Sequence, residues 1–350
     1  MSSVERHFQR RPARGTPDYE DGYWHVVIDP DGKRRNRLDE RAQHVADLRE
    51  ELEFVNALEP TELLDVGCGA GFFLSGVDAK HRRFGVEISR FAAENARQFA
   101  EIHAGTLESA GFASGRFGAV VLHHVIEHVE DPGALIGEIR RVLAPDGHLV
   151  LGTPDFDSGA ARRFGERFRL LHDPTHVSLF SAESMHRFLR EHGFAIERVS
   201  FPFFETRHFT RDNLERLFDT SQISPAFYGS FMTFYARRPA HPRLVAALAS
   251  LGVVSGAELA RGEREGAAIV RRLRGARSAA LGVSGPPALV HAAVEALRAR
   301  GLRAEPLPAR DDDRVRFGDV ALSLPASFGV PARFAQLLVL EACLAEAQSP

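Results

Sequence analysis

Leu63-Leu64-Asp65-Val66-Gly67-Cys68-Gly69-Ala70-Gly71-Phe72-Phe73-Leu74 is the stretch that decides the fold. Its first residues, apolar around one acid, read as a short buried strand. Three glycines at alternate positions then turn the chain, and Phe72 opens a helix. A glycine-rich turn between a strand and a helix N-terminus lets a ligand approach bare backbone N–H groups. Dinucleotide folds use that device with the pattern G-x-G-x-x-G, but Phe72 stands where the third glycine would be. Asp65 lies two residues ahead of the first glycine. A carboxylate there repels a pyrophosphate and suits a cationic, amino-acid-like ligand.

Working outward, the 350 residues leave room for more than one domain. The net charge of −3 argues against a sequence-independent hold on nucleic acid. Cys68 and Cys343 sit far apart in apolar contexts, which suggests no disulfide framework, a reducing compartment and a cytoplasmic location. The polar, Arg-rich N-terminus reads as no signal peptide, and no apolar run predicts a membrane span.

Residues 1–18 have the composition of a disordered arm. Tyr19, Tyr23, Trp24 and His25 follow, then a turn at Asp29-Pro30-Asp31-Gly32. Trp24 is the only tryptophan, and aromatic residues this early either cover a ligand or anchor the arm. Leu38, Ala42, Val45, Leu48, Leu52 and Val55 recur at helical spacing and predict one amphipathic helix that Pro60 ends. Residues 1–58 are therefore an expected arm and lid helix. Beyond them the pattern predicts strands over 61–66, 83–87, 100–104, 117–122 and 148–153. Helices are predicted over 71–77, from Ser89 to Phe99, and from Asp131-Pro132 to a stop at Pro145-Asp146-Gly147. A helix capped by Ser181 and a sixth strand over 194–201 follow. An insertion over 202–227 carries Phe203, Phe204, Phe209, Leu214, Leu217 and Phe218. A last strand over 227–236 is expected antiparallel at the sheet edge. Strands alternating with helices predict the α/β class, with a doubly wound, mostly parallel sheet.

Taken in order over roughly 55–238, these features resemble class I S-adenosylmethionine (SAM)-dependent methyltransferases. The resemblance implies a seven-stranded Rossmann-like sheet over 59–240 with SAM as cofactor. It places Asp65, Gly67, Gly69 and Gly71, with Phe72 beside them, at the methionine end. Glu87, with Ile88 next to it, would bind the ribose hydroxyls, because a carboxylate accepts from two vicinal donors. Thr106 and Leu107, in Gly105-Thr106-Leu107-Glu108, would flank the adenine, and His123 would touch SAM through its backbone.

Directly after the fourth strand comes His124-Val125-Ile126-Glu127-His128. His124 lies one helical turn before His128, so three ligand-type side chains would sit beside the methyl group. The string also matches the H-x-x-E-H of some zinc peptidases, but its place after a buried strand at a cofactor mouth speaks against that reading. It resembles the segment of ubiquinone-pathway O-methyltransferases and small-RNA 2′-O-methyltransferases, which carry Glu-x-x-Glu-His. That resemblance implies a divalent metal held by Glu127 and His128. His176, in His172-Asp173-Pro174-Thr175-His176, would be the distant ligand. His124 departs from the pattern, and an imidazole there shifts preference from magnesium toward zinc, manganese or iron. A metal, a histidine general base (His124 or His176) and mere positioning all remain open. Thr153-Pro154-Asp155, Arg162-Arg163-Phe164 and His176 also resemble bacterial methyltransferases acting on small molecules or on sugars and lipids of the cell envelope.

After Pro239-Ala240-His241-Pro242 the composition turns rich in Ala, Arg and Leu. Residues 243–350 predict a second small α/β domain, with strands over 278–283, 302–307 and 315–324 and helices over 288–300 and 333–346. Its end resembles sugar-phosphate isomerase (SIS) domains, with Pro325-Ala326-Ser327 and Ser284-Gly285-Pro286-Pro287 replacing most phosphate donors. The lost donors argue against isomerase activity and favour a plain packing module, with a degenerate domain used for sugar recognition or for a homodimer through 243–350 as the other reading. The sequence therefore reads as a SAM-dependent methyltransferase acting on a hydroxyl of a small or glycosylated metabolite, a sugar or a lipid. A nucleic-acid 2′-O-methyltransferase is disfavoured by the charge and by the lack of a basic, aromatic-interleaved patch. A non-catalytic SAM-binding scaffold is the other alternative.

Overall fold

Leu63, Leu64 and Val66 are all buried, as a strand covered on both faces requires. They lie in strand β1 (Glu62–Val66), which runs between two parallel neighbours. The computed structural model describes residues 8–9, 24–25, 27–28, 34–202, 209–225, 230–253, 255–309, 314–322 and 332–349. Tyr19, Tyr23, the turn at 29–32, Phe203, Phe204, Phe227 and Pro325-Ala326-Ser327 lie outside the described residues. The chain divides into two compact units, Met1–Arg238 and Pro239–Pro350.

In the first unit β1 is joined by β2 (Arg82–Glu87), β3 (Glu101–Ala104), β4 (Phe117–His123), β5 (Leu143–Pro154), β6 (Ala195–Ser200) and β7 (Phe231–Arg237). The sheet order is β6-β7-β5-β4-β1-β2-β3. β1 to β5 are parallel, and β7 runs antiparallel to both β5 and β6. The last strand is therefore interior, and the edge falls to β6. Burial explains the correction: Met232, Phe234 and Tyr235 in β7 are shielded on both faces, whereas Glu197 and Arg198 in β6 are exposed.

Side chains alternate across the sheet with period two. Leu64, Val120, Leu122, Leu149, Leu151 and Phe234 share one core with helix α5 (Pro132–Val142) and helix α7 (Ala182–Glu191). Leu63, Val121, Val150 and Tyr235 share the opposite core with Leu52 and Val55. The amphipathic stretch supplying those two residues is not one helix. A 3-10 turn at Arg37–Glu40 leads into α1 (Arg41–Asp47), and α2 (Arg49–Ala57) restarts after Leu48. The helix after the glycine turn is short, α3 (Phe72–Ser75), and α4 (Arg90–Ala96) is capped by Ser89, whose side chain accepts from the Ala92 amide. Pro145-Asp146-Gly147 stands inside β5 rather than ending a helix, because α5 already stops at Val142. Further helices are α6 (Gly159–Phe164) and α8 (Arg211–Arg216), the latter within the expected insertion.

The second unit packs α9 (Pro242–Ser250), α10 (Gly256–Gly275), α11 (Pro287–Ala299) and α12 (Ala332–Gln348) with a four-stranded sheet. Its strands β8 (Leu281–Ser284), β9 (Ala304–Pro306), β10 (Val315–Phe317) and β11 (Val320–Leu322) lie in the order β9-β8-β10-β11. The single strand expected over 315–324 is instead a hairpin, β10 and β11 pairing antiparallel across Gly318. Among the described residues no helix is long and apolar enough to cross a membrane.

Helix α7 begins with a reciprocal cap. The Ser181 hydroxyl accepts from the Ser184 amide, and the Ser184 hydroxyl accepts from the Ser181 amide. Ser181→Ala is expected to cost about 0.5–2 kcal/mol, read as a lower urea midpoint for the first unit; an unchanged midpoint contradicts the capping role.

Candidate functional site

The C-terminal ends of β1, β2, β4 and β5 meet beside the point where the strand order reverses, the place where open α/β sheets bind ligands. The glycine turn after β1 is pinned to β2. The amides of Gly67 and Cys68 both donate to the Val86 carbonyl, at 2.8 and 3.1 Å. The Gly69 amide donates to Glu87 Oε2 at 2.8 Å, and the Ser89 amide to Glu87 Oε1 at 2.8 Å. The Gly71 amide donates to the Cys68 carbonyl. The expectation of bare N–H groups is thus corrected: four of the turn's donors are spent internally, and the turn is poorly equipped to cradle a phosphate.

Gly69 and Gly71 hold left-handed backbone, φ +53° and +78°. A Cβ on Gly71 would lie 2.9 Å from the Ala96 Cα, and one on Gly69 would lie 2.7 Å from the Trp24 Cη2. Trp24 therefore packs on the turn itself. Its neighbour His25 sets its ring edge-on to Phe91 of α4 at 5.5 Å. The loop beyond β3 is tied to the same place, with the Gly105 amide donating to the Glu87 carbonyl at 2.8 Å. Thr106 caps the turn through Ser109, while the Leu107 side chain points into the core and leaves only its backbone for a ligand. Ile88 is 55% exposed beside Glu87. Phe72 faces the His44 ring at 5.9 Å. Asp65 is buried, and burial together with the neighbouring Glu87 charge pushes its carboxyl up to about 8.

At the end of β4 the chain does not continue as a helix. His124 takes a left-handed φ of +53°, and only Ile126–His128 form a 3-10 turn. His124 consequently does not stack over His128. Its Nδ1 meets Glu127 Oε1 at 3.0 Å, and its ring packs edge-on against His123 and Phe231, at 4.5 and 4.9 Å. Glu127 is fully buried, and its Oε2 accepts from the Thr153 hydroxyl at 3.0 Å. Burial alone would raise the Glu127 carboxyl, but the His124 bond and the charges of His124, His128 and His176 hold it well below the usual range.

His176 arrives from the distant segment by way of backbone bonds. The Val177 amide donates to the Glu127 carbonyl at 2.8 Å, and the Ser178 hydroxyl to the Val129 carbonyl at 2.8 Å. His128 Nδ1 donates to the Thr175 carbonyl at 3.1 Å and His176 Nδ1 to the Leu170 carbonyl at 2.7 Å. A carbonyl oxygen only accepts, so both rings carry their hydrogen on Nδ1 and the neutral rings offer Nε2 lone pairs. Glu127, His128 and His176 each contribute one ligand-type atom, all within 4.8 Å of one another. Burial pushes the His176 imidazole down toward its neutral form.

The sequence reading missed Glu51. It lies buried on α2, accepts from the Thr233 hydroxyl at 2.8 Å and stands 3.9 Å from His123 Nε2. The available signal was a glutamate three residues after Leu48, on the apolar face of the helix.

Residues 35–199 match the family model of a methyltransferase domain. An uncharacterized protein encoded in a transposon of Streptomyces fradiae is 32% identical over 117 residues, 31% of this chain and 34% of that protein. The ubiquinone biosynthesis O-methyltransferase of Alkalilimnicola ehrlichii is 32% identical over 108 residues, 28% of this chain and 44% of that protein. The chain thus spans less than half the length of these relatives. Among solved structures, a SAM-dependent methyltransferase from Thermotoga maritima is 23% identical with a TM-score of 0.45, covering 57% of this chain and 94% of that one.

Asp65 generates a stability prediction with a definite sign. Its carboxyl, raised to about 8 from an ordinary 3.8, stays protonated in the fold where the unfolded chain has already ionised. Its contribution is therefore complete below about pH 4 and is lost as pH rises toward 8. Asp65→Asn should raise Tm over the parent by several degrees at pH 8, at about 2–4 °C per kcal/mol, and by clearly less at pH 5. A gap that is equal at both pH values contradicts the shift.

Proposed function

We propose that this chain, whose residues 35–199 are a methyltransferase domain on a class I Rossmann-like fold, methylates an oxygen of a small acceptor, a hydroxyl on a free or glycosylated metabolite. SAM supplies a methyl group already activated on a sulfonium and leaves as S-adenosylhomocysteine. The observation that carries the oxygen chemistry is the His124–Glu127 pair. A buried acceptor-only carboxylate fixes Nδ1–H of the imidazole, so Nε2 is the atom left to take a proton. The acceptor oxygen attacks the methyl carbon as the C–S bond breaks, and its proton passes to His124 Nε2. Glu127 then faces the imidazolium it has oriented, the division of labour of a carboxylate–histidine pair. On the cofactor side, Asp65 would meet the ammonium of the methionine moiety and Glu87 the ribose hydroxyls. The turn's spent amides support that cationic, amino-acid-like ligand over a pyrophosphate.

A divalent metal is a second reading, favoured by two imidazoles whose Nδ1 atoms are committed to carbonyls and by ligand-type atoms of Glu127, His128 and His176 within 4.8 Å of one another. Glu127, His128 and His176 fit such an ion by donor chemistry, and their imidazole content favours zinc, manganese or iron over magnesium. Bound there, it would acidify and orient the acceptor hydroxyl.

Two measurements test the reading. Deuteromethyl-labelled SAM incubated with fractionated metabolites should label an oxygen, and His124→Ala should slow that transfer about 10²–10⁴-fold while S-adenosylhomocysteine still binds. Undiminished transfer removes His124 as the base, and label on nitrogen or carbon removes the hydroxyl acceptor. Because Trp24 is the chain's only tryptophan and packs on Gly69, S-adenosylhomocysteine should shift the intrinsic emission, and an unshifted spectrum at saturation places the ligand elsewhere.

A further inference from the structure

Three neighbouring strands place one polar row near the C-terminal end of the parallel sheet. His123 in β4 lies beside Gly152 in β5, and Gly152 lies beside Thr233 in β7. Gly152 leaves the room that the imidazole takes, since a Cβ there would stand 2.6 Å from His123 Nε2. Glu51 reaches the same row from α2. Its Oε1 accepts from the Thr233 hydroxyl at 2.8 Å and lies 3.9 Å from His123 Nε2. That gap is longer than a hydrogen bond, so carboxyl and imidazole face each other without joining. Burial works against a charge on either group, and no strong ion pair closes the gap. The row continues outward to the His124 ring, 4.5 Å from that of His123. Side-chain exposure rises along it, from 7% at Glu51 to 18% at His123 and 36% at His124. The polar groups thus run inward from the proposed base to a carboxyl at the back.

We propose that Glu51 Oε1 and His123 Nε2 together bind a second hydroxyl of the acceptor, next to the one that His124 deprotonates, which deepens the oxygen-methylation reading above and rests on it. The spacing suits one oxygen. An atom about 2.8 Å from each partner bridges two atoms that stand 3.9 Å apart. The chemistry suits a hydroxyl, which both donates and accepts. It can give its hydrogen to the Glu51 oxygen and take one from the ring nitrogen, whereas an ether oxygen only accepts and a methyl group does neither. The substrate class is therefore an acceptor with two neighbouring hydroxyls, as a sugar or another polyol carries. An acceptor with a single hydroxyl leaves both buried groups unfilled, and such a site discriminates strongly against it. Glu51 and His123 take no proton from the reacting oxygen. Their part is to choose the acceptor and to set its reacting hydroxyl before His124.

The test incubates the full chain with deuteromethyl-labelled SAM and fractionated metabolites, and identifies the labelled products by mass spectrometry. The expected product carries the labelled methoxyl beside a free hydroxyl on the neighbouring carbon. A labelled methoxyl on a molecule with no second hydroxyl overturns the subsite and leaves oxygen methylation standing. Label on nitrogen or carbon, or no label at all, overturns both. The acceptor so identified is then compared with its analogue lacking the second hydroxyl. In the parent, kcat/KM is expected to favour the dihydroxy acceptor about 10–100-fold. His123→Phe keeps a ring over Gly152 without the nitrogen, and Glu51→Met keeps the bulk without the oxygens. Each is expected to bring that ratio close to one, chiefly through a higher KM for the dihydroxy acceptor, with S-adenosylhomocysteine affinity unchanged. A ratio that stays at the parent value, or an equal loss on both acceptors, overturns the assignment. The Tm of each variant reports whether it is folded, and His123→Phe, which leaves the Thr233–Glu51 bond in place, decides the matter if Glu51→Met is not.

Discussion

A carboxylate with no exposed surface constrains everything around it. Glu127 is 0% exposed, and an ionised group in that position is tolerated only where donors and opposite charge surround it. The chain meets that demand from two stretches: His124 comes from the exit of β4 and Thr153 from the end of β5. The loop that carries His176 is tied in separately, the Val177 amide donating to the Glu127 main-chain carbonyl.

The glycine turn shows a different economy. Its amides close onto Val86 and Glu87, so the turn is rigid before any ligand arrives. What it presents is a pair of carboxyl groups: burial and the nearby Glu87 charge both disfavour ionisation of Asp65. A ligand bearing an ammonium group relieves that repulsion, and a phosphate increases it.

Much of this was legible in the residues. Hydrophobic runs bounded by glycine and by the caps Ser89, Asp131 and Ser181 placed the alternating strands and helices, because these signals act over a few neighbouring residues. Strand order was less legible: periodicity reports that Phe234 is buried and says nothing of which strand lies beside it. The break at Leu48 and the hairpin across Gly318 depend on tertiary packing that overrides local spacing. In the candidate site, Glu127, His128 and His176 were visible as residue types, and the structure brings their ligand atoms within 4.8 Å. The turn of His124 away from His128 was hidden, since it follows from one backbone angle. Glu51 was hidden because its partner, Thr233, declares itself only in three dimensions.

That backbone angle has a consequence for how the chain tolerates change. A left-handed conformation at a residue with a side chain costs on the order of 1 kcal/mol or more, and here the sheet enforces it, the His124 amide being tied to the Gly152 carbonyl at 2.9 Å. Glycine or asparagine would relax that backbone angle, but either would leave the fully buried Glu127 carboxylate without its imidazole partner. Stranding a buried charge costs about 3–5 kcal/mol, more than the angle does, so the strain at His124 is held in place by the carboxylate three residues further on.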